Sequence, residues 1–236
     1  MLHLIKYSDD MLVADVFTRE RGRVSFAVRI SRSAKVAVRH TLFQPMAVLE
    51  LEWDDRRTGN SLCRVRSARV VQPFCSVPYE AVKGAMALYL AELLRYALRM
   101  EPDAAAVYDF VEHSLVWLDT SRDGFANFHL VFQLRLTLML GFYPNIEGFV
   151  RDTGYFDLRA GCFVDVRPLH PDYLEPAEGR LLPLLLRMDY GSMHLLKLSG
   201  AARSRLLEKL GDYYRLHLPD FPELKSAQVL REVFRT

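Results

Sequence analysis

The chain has 236 residues, of which 50% are apolar and 25% are charged, as expected for a globular protein that buries a sizeable core. Its length suits one large domain or two modest ones. No apolar run approaches the roughly eighteen residues of a membrane span, and the acids Asp9 and Asp10 lead us to expect no signal peptide. We therefore expect a cytoplasmic protein.

The net charge of +2 conceals a polarised chain. Residues 1–72 hold 13 Lys/Arg against 8 Asp/Glu, whereas residues 73–236 hold 18 against 21. The positive charge is densest between Phe17 and His40, where Glu20 is the only acid. The cations of this cluster are Arg19, Arg21, Arg23, Arg29, Arg32, Lys35 and Arg39. Such clustering indicates a polyanion partner, although charge runs more often form solvated faces.

Five segments in the first third have strand character, separated by turn residues. In the third, Val24, Phe26 and Val28 alternate with polar residues. The five are Leu2–Tyr7, Met11–Thr18, Arg23–Ile30, Phe43–Trp53 and Leu62–Val71. Short strands that close on themselves predict a barrel of the OB type, whose open face commonly binds single-stranded nucleic acid. An SH3-like barrel fits the pattern almost as well.

After Pro73 and Pro78 the hydrophobic period changes to that of helices. The predicted helices are Tyr79–Met100, Ala104–Leu118, Ala126–Gly141, Gly179–Met188, Ala201–His217 and Lys225–Phe234. The third is apolar on most sides, so we expect it at the centre of a bundle. Residues 154–157 and 161–164 have the pattern of a hairpin. The sequence therefore predicts an α+β protein with a β domain over residues 1–76 and a helical domain over residues 77–236, which carries an insertion at 143–170.

The sequence contains no motif that is typical of an enzyme. Asp109 and His113 are spaced for one helix face, and Glu50 and Glu52 for one strand face, but neither pair forms a catalytic set. The three cysteines are odd in number and far apart, so neither a disulfide framework nor a C-x-x-C metal knuckle is expected. We predict that the protein is not an enzyme.

The basic cluster surrounds a predicted turn and a predicted loop. Arg19, Arg21 and Arg23 flank Gly22, and Arg32, Lys35 and Arg39 lie in a Ser/Ala-rich connection that we expect to be mobile. Arg/Lys loops on a barrel can follow a phosphate backbone. Three aromatic residues could stack on bases, although core positions suit them better: Tyr7, Phe17 and Phe43.

Several stretches now combine into a resemblance to a known family. They are His3–Asp9, Phe17–Arg23, Leu42–Met46, Leu90–Leu94, Ala126–Leu130, Leu140–Pro144, Tyr214–Pro219 and Leu224–Leu230. In this order and spacing, over nearly the whole chain, they resemble the bacterial RecO family of recombination mediators, and most closely its Bacteroidetes-type branch.

The resemblance implies an N-terminal OB fold, followed by a helical domain with an inserted zinc-ribbon-like hairpin. It also implies binding of single- and double-stranded DNA, annealing of complementary strands, and no nucleotide hydrolysis. Family members work with RecR, and in some pathways RecF, to help RecA replace the single-stranded-DNA-binding protein SSB, whose C-terminal tail they contact. The implied location is the cytoplasm, in association with the nucleoid.

Two departures from the family pattern lead to further expectations. Many members hold zinc with four cysteines, whereas the matching region here keeps only Cys162, so we predict no metal cofactor. The degenerate hairpin would then depend on hydrophobic side chains: Phe149, Tyr155, Phe156 and Phe163. The family also usually starts several residues earlier, which implies a short first barrel strand.

Two functions from different classes follow. In the first, the seven cations of the basic cluster contact DNA phosphates. In the second, the protein is an adaptor that bridges SSB and RecR with little direct DNA binding. Its helical domain would accept the acidic SSB tail beside Arg203, Arg205 and Lys209.

Overall fold

The computed structural model describes residues 1–29, 40–54, 62–99, 104–150 and 153–234. The chain divides into two compact units, Met1–Asp119 and Thr120–Thr236. The first unit thus contains the five strands of the larger sheet together with the first two helices, whereas the predicted domain boundary lies at residue 76, where the pattern changes from strands to helices. That boundary stays a prediction.

The first unit is built on a five-stranded sheet with the order β1-β2-β3-β5-β4. Its strands are β1 (His3–Lys6), β2 (Met11–Thr18), β3 (Gly22–Arg29), β4 (Val48–Asp54) and β5 (Cys63–Gln72). The pairs are antiparallel except for β3 and β5, which run parallel. The Met1 amino group donates to the Ala47 carbonyl (2.9 Å) and the Met46 N–H donates to the Met1 carbonyl (2.8 Å), which joins the two ends of the sheet. This is the layout of an OB fold, so the predicted fold class is confirmed.

The predicted alternation places the core residues on the inner face of this sheet. Phe26 and Val28 of β3 are fully buried, and the Phe26 ring packs edge-on against Trp53 with centroids 5.4 Å apart. The strand that we predicted from Phe43 begins five residues later, at Val48. Pro45 lacks the N–H that a ladder needs, and Met46 adopts a φ of 62° that regular strand backbone does not.

The described residues also contain seven α-helices. They are α1 (Ala81–Ala97), α2 (Ala104–Thr120), α3 (Phe128–Met139), α4 (Pro176–Gly179), α5 (Leu182–Arg187), α6 (Gly200–His217) and α7 (Ser226–Val233). Nine of the twelve residues of α3 are buried, as its all-round apolarity predicts. The helix predicted over 179–188 is present but shorter, because α5 begins only at Leu182, where Pro183 is pre-organised for its first turn.

The second unit contains a small sheet of order β7-β6-β8. Its strands are β6 (Tyr155–Asp157), β7 (Cys162–Val164) and β8 (Tyr173–Leu174). β6 and β7 pair antiparallel, which confirms the predicted hairpin, whereas sequence analysis missed β8. None of the helices within the described ranges is long and apolar enough to cross a membrane.

Candidate nucleic-acid interface

The turn between β2 and β3 positions the first three arginines of the predicted cluster. Thr18 Oγ1 accepts from the Arg21 N–H (3.1 Å) and donates to the Gly22 carbonyl (3.0 Å). Gly22 adopts a φ of 64°, which a residue without Cβ does at little cost. Arg19 and Arg23 therefore lie on either side of a tight, hydrogen-bonded turn, with Arg21 exposed within it.

Arg19 makes a bidentate ion pair with a carboxylate of α2. Its Nε donates to Asp109 Oδ1 and its Nη2 to Asp109 Oδ2, both at 2.9 Å. These hydrogen bonds lower the pKa of Asp109 and raise the pKa of Arg19, because each favours the charged form of its partner. The guanidinium of Arg19 is thus held against a helix, and a phosphate would have to displace a carboxylate to reach its fork.

Arg23 is engaged in a second set of contacts with the helices of the first unit. Its Nη1 donates to the Arg95 carbonyl near the end of α1 (2.7 Å). Arg95 Nε in turn donates to Asp15 Oδ2 (3.0 Å), and Ser25 Oγ donates to Asp15 Oδ1 (2.6 Å). Arg23 therefore supports the packing of α1 on the sheet, and sequence analysis did not connect these residues.

An exposed group of arginines lies where β3 and β5 run side by side. Arg29 ends β3 and points to the same side of the strand as Ala27, two residues before it. Ala27 pairs with Arg64 of β5, and Arg66 lies two residues after Arg64. The three arginines Arg29, Arg64 and Arg66 therefore share the outer face of the sheet. All three are exposed. Arg66 forms an ion pair with Asp54 of β4. We call Arg29, Arg64 and Arg66 the basic face.

Only Arg29 of the basic face belongs to the cluster predicted from the sequence. In the sequence Arg64 and Arg66 alternate with Cys63 and Val65, but the predicted cluster does not include these two arginines. This alternation could have identified both arginines as exposed residues of the site. The structure buries Cys63 and Val65 and exposes Arg64 and Arg66. The remaining predicted cations, Arg32, Lys35 and Arg39, lie outside the described residues.

The three aromatic candidates occupy different environments. Phe43 is buried in the sheet core, and Phe17 is buried on the outer face, where its ring stacks on Tyr108 of α2 at 6.4 Å. Tyr7 is 77% exposed in the turn between β1 and β2, so a core position for this residue is wrong. Of the three, Tyr7 alone presents a ring to solvent.

The two residue pairs that are spaced for one face, Asp109 with His113 and Glu50 with Glu52, include side chains that make other contacts. The carboxylate of Asp109 holds Arg19, while its backbone carbonyl lies 2.6 Å from His113 Nδ1. Glu50 forms an ion pair with Arg69. Within the described ranges no group of three or more His, Cys, Asp or Glu side chains could hold a metal ion.

The three basic residues of α6 that are suggested for partner binding make different contacts. Arg203 is half-buried, donates to Asn127 Oδ1 (3.2 Å) and lies 4.8 Å from the Phe234 ring centroid. Arg205 donates to Glu178 Oε1 (2.9 Å), and Lys209 lies 3.4 Å from a backbone carbonyl. Their role as a partner site stays a prediction.

Aromatic side chains pack around the hairpin of β6 and β7, the region in which the family resemblance implies a zinc site. The Phe163 ring centroid lies 5.0 Å from Phe149 and 5.1 Å from Phe156, and Phe156 in turn contacts Tyr213 of α6. Cys162 alone does not supply the four donors of a tetrahedral zinc site, so the residues present do not fit that metal. A metal-free hairpin remains our prediction.

The chain is thus an α+β protein that begins with an OB fold and continues with helices and a small three-stranded sheet. Residues 1–74 match the family described as "Recombination protein O N terminal", and residues 79–227 match "Recombination protein O C terminal".

Relatives of known name agree with these matches. The chain is 46% identical over 234 residues to the DNA repair protein RecO of Phocaeicola vulgatus, which covers 99% of this chain and 96% of the relative. It is 45% identical over 235 residues to the RecO of Bacteroides fragilis and 32% identical over 236 residues to that of Flavobacterium psychrophilum, with the same coverage. The chain therefore belongs to the RecO family and has a role in DNA repair and recombination.

Proposed function

We propose that the protein is a non-catalytic recombination mediator. It binds single- and double-stranded DNA, anneals complementary strands, and with RecR helps to load RecA onto single-stranded DNA coated by SSB. The SSB tail and, in some pathways, RecF are further partners, and the protein acts in the cytoplasm at the nucleoid. The observation that carries the proposal is the basic face on the OB fold of a chain that belongs to the RecO family.

The proposed mechanism requires only charge neutralisation and proximity. Arg29, Arg64 and Arg66 project from two adjacent strands, so one phosphate backbone can lie along the seam between β3 and β5. Guanidinium groups bind phosphates without reading bases, which suits a protein that must act on any sequence. Two DNA strands repel each other less when arginines screen one of them, and pairing then follows from base complementarity.

The test is a measurement of DNA affinity against salt. If about four cations of the OB fold contact phosphates, the slope of log K against log[salt] for single-stranded DNA is roughly −3. The double variant Arg29→Glu/Arg64→Glu removes two of these contacts and reduces the slope to roughly −1.5. Affinity for unrelated sequences should fall about equally. Fluorescence anisotropy with labelled oligonucleotides provides both quantities.

The matched control carries the same change in charge in the second unit. Arg187 and Lys197 are both exposed there, so Arg187→Glu/Lys197→Glu should fold and keep the wild-type slope. Equal losses in the two double variants would mean that net charge alone, and not the basic face, determines binding. Wild-type binding that does not change with salt would refute the proposal outright.

The adaptor function is the second candidate, because two arginines of the predicted cluster are already engaged. Arg19 holds Asp109, and Arg23 holds the Arg95 carbonyl, so fewer free cations face solvent than the sequence suggested. Pull-down of SSB and RecR after nuclease treatment separates the two functions. Retention of both proteins by a preparation that binds no DNA would favour the adaptor, whereas salt-dependent DNA binding lost in Arg29→Glu/Arg64→Glu favours the mediator.

A further inference from the structure

The outer face of the five-stranded sheet is covered by helices at one end and exposed at the other. Toward the C-terminal end of β2, Asp15 accepts a hydrogen bond from Arg95 of α1, and the Phe17 ring stacks on a tyrosine of α2. The N-terminal end of β2 carries Met11, which pairs with Arg29 of β3. The helices thus contact the face beside Asp15 and Phe17, whereas the arginines of the basic face are exposed.

An exposed aromatic ring, Tyr7, lies in the same row of the sheet as Arg29. Tyr7 directly follows β1, and its N–H donates to the Met11 carbonyl (3.0 Å), so it lies opposite Met11. Leu4 packs against the core, and alternation turns Tyr7, three residues later, to the outer face. Val28 is buried in the core, so Arg29 next to it also points outward. The ring and the guanidinium therefore project from one face.

The spacing of the strands allows one nucleotide chain to reach both side chains. Neighbouring strands lie about 4.8 Å apart, so β1 and β3 are separated by roughly 10 Å. A phosphate bound by Arg29 can therefore place its own base, or that of the next nucleotide, over the Tyr7 ring. Ile5, two residues before Tyr7, is 44% exposed and extends the apolar surface beside the ring.

The charges around Tyr7 favour a base rather than a phosphate at this end of the face. The turn after Tyr7 carries two acids. Asp9 pairs with Lys6 (2.9 Å), whereas Asp10 accepts from the hydroxyl of Ser8 (2.8 Å). Phosphates are therefore attracted to the arginines of β3 and β5 and repelled from the turn. A nucleic acid on the outer face is thereby oriented with its backbone along the basic face and its bases toward Tyr7.

An exposed ring can accept a base only when that base is free to leave its stack. Extrusion of a base from a duplex costs unpairing and unstacking energy, whereas a base that is already single-stranded pays least. Stacking on an aromatic ring uses the π-face that every base has, so the contact tolerates any sequence. The ring of Tyr7 should therefore bind single strands and contribute little to the binding of duplexes.

We propose that an unpaired base of single-stranded DNA stacks on Tyr7 while its backbone binds the basic face, and that this contact makes the protein prefer single-stranded to duplex DNA. The proposal rests on the proposed function, because it requires DNA on the OB fold. The stacked base contacts the ring through its face, so its pairing edge stays accessible to a complementary strand. Tyr7 thus distinguishes two forms of DNA whose phosphates the arginines bind alike.

Substitution of Tyr7 in the full-length protein tests the proposal by fluorescence anisotropy. Tyr7→Ala should weaken binding of a labelled single strand by roughly tenfold, as expected for the loss of one base–aromatic contact. Its affinity for the corresponding duplex and its salt slope should not change, because no phosphate contact is lost. The conservative variant Tyr7→Phe keeps the ring and should restore single-strand binding. The matched control is Tyr79→Ala, which removes a ring that is 81% exposed in the segment before α1 and should leave both affinities unchanged.

An abasic oligonucleotide separates stacking from a structural effect of the substitution. It presents the same phosphates without bases, so the wild-type protein should bind it roughly tenfold less tightly than the normal strand. Tyr7→Ala should bind the abasic and the normal strand with nearly equal affinity.

The outcomes distinguish this proposal from the proposed function. Wild-type affinity of Tyr7→Ala for the normal strand, or an equal loss for single strand and duplex, would overturn the role of Tyr7. Salt-dependent binding by the wild-type protein in the same experiment would leave the proposed function intact. Wild-type binding that does not change with salt would overturn both.

Discussion

Replacing Asp15 by Asn should destabilise the first unit by about 3 kcal/mol. Asp15 is 6% exposed and accepts from Arg95 Nε at 3.0 Å and from Ser25 Oγ at 2.6 Å. Removing one member of a buried ion pair costs about 3–5 kcal/mol, because the other charge loses its compensation. The Arg95 side chain is 23% exposed and keeps some hydration, so the lower end of this range applies.

A double-mutant cycle with Arg95→Met isolates the ion pair from the general effect of substitution. Arg95→Met alone leaves the Asp15 carboxylate with Ser25 as its remaining side-chain donor and should cost a similar amount. The double variant should lose about 2 kcal/mol less than the sum of the single losses, because neither charge is then left unpaired.

Urea unfolding followed by tryptophan fluorescence measures these differences. Both tryptophans, Trp53 and Trp117, belong to the first unit, so their emission reports on that unit even if the two units unfold separately. With an m-value of about 2 kcal/mol per molar urea, Asp15→Asn should lower the midpoint by about 1.5 M. Additive single effects, or a loss below about 1 kcal/mol, would refute the argument that this pair fastens α1 to the sheet.

Three further predictions concern buried or hydrogen-bonded groups. Backbone N–H groups of residues 75–77 donate to the carboxylate of Asp119. Burial alone would raise the pKa of Asp119, but these hydrogen bonds outweigh burial and lower it. Asp119→Ala should therefore cost about 1–2 kcal/mol at pH 7, and the difference should shrink as pH falls below about 4, when measured by urea unfolding at both pH values. Burial lowers the pKa of His129 to about 3, so the folded state excludes a proton that the unfolded chain binds below pH 6.5. Stability should fall by about 2 kcal/mol between pH 7.5 and 5, and His129→Gln should abolish this part of the slope in the same assay. Tyr214→Phe removes a buried hydrogen bond from the hydroxyl to the Gln133 carbonyl (2.8 Å) and should cost about 1 kcal/mol, seen as a lower Tm by calorimetry.

The strands of the OB fold could be predicted because each combines alternation with a clear turn. Arg23–Ile30 alternates along its whole length, and Gly22 before it permits the left-handed backbone of the turn. β8 could not be predicted, because Tyr173 and Leu174 form a two-residue strand beside proline and aspartate that are typical of turns. Its pairing with β6 depends on packing in the second unit, and two residues are too few to show a period.

The basic cluster could be predicted as a concentration of charge, but not as a surface. Arg19 and its partner Asp109 are 90 residues apart, so no local pattern shows that they meet. The density of positive charge along the chain also favoured Arg23 over Arg64 as a DNA-binding residue. In the structure Arg23 contacts α1, whereas Arg64 is exposed beside β3. Whether an arginine faces solvent or a helix is decided by which sheet face the helices cover, and that is a tertiary property.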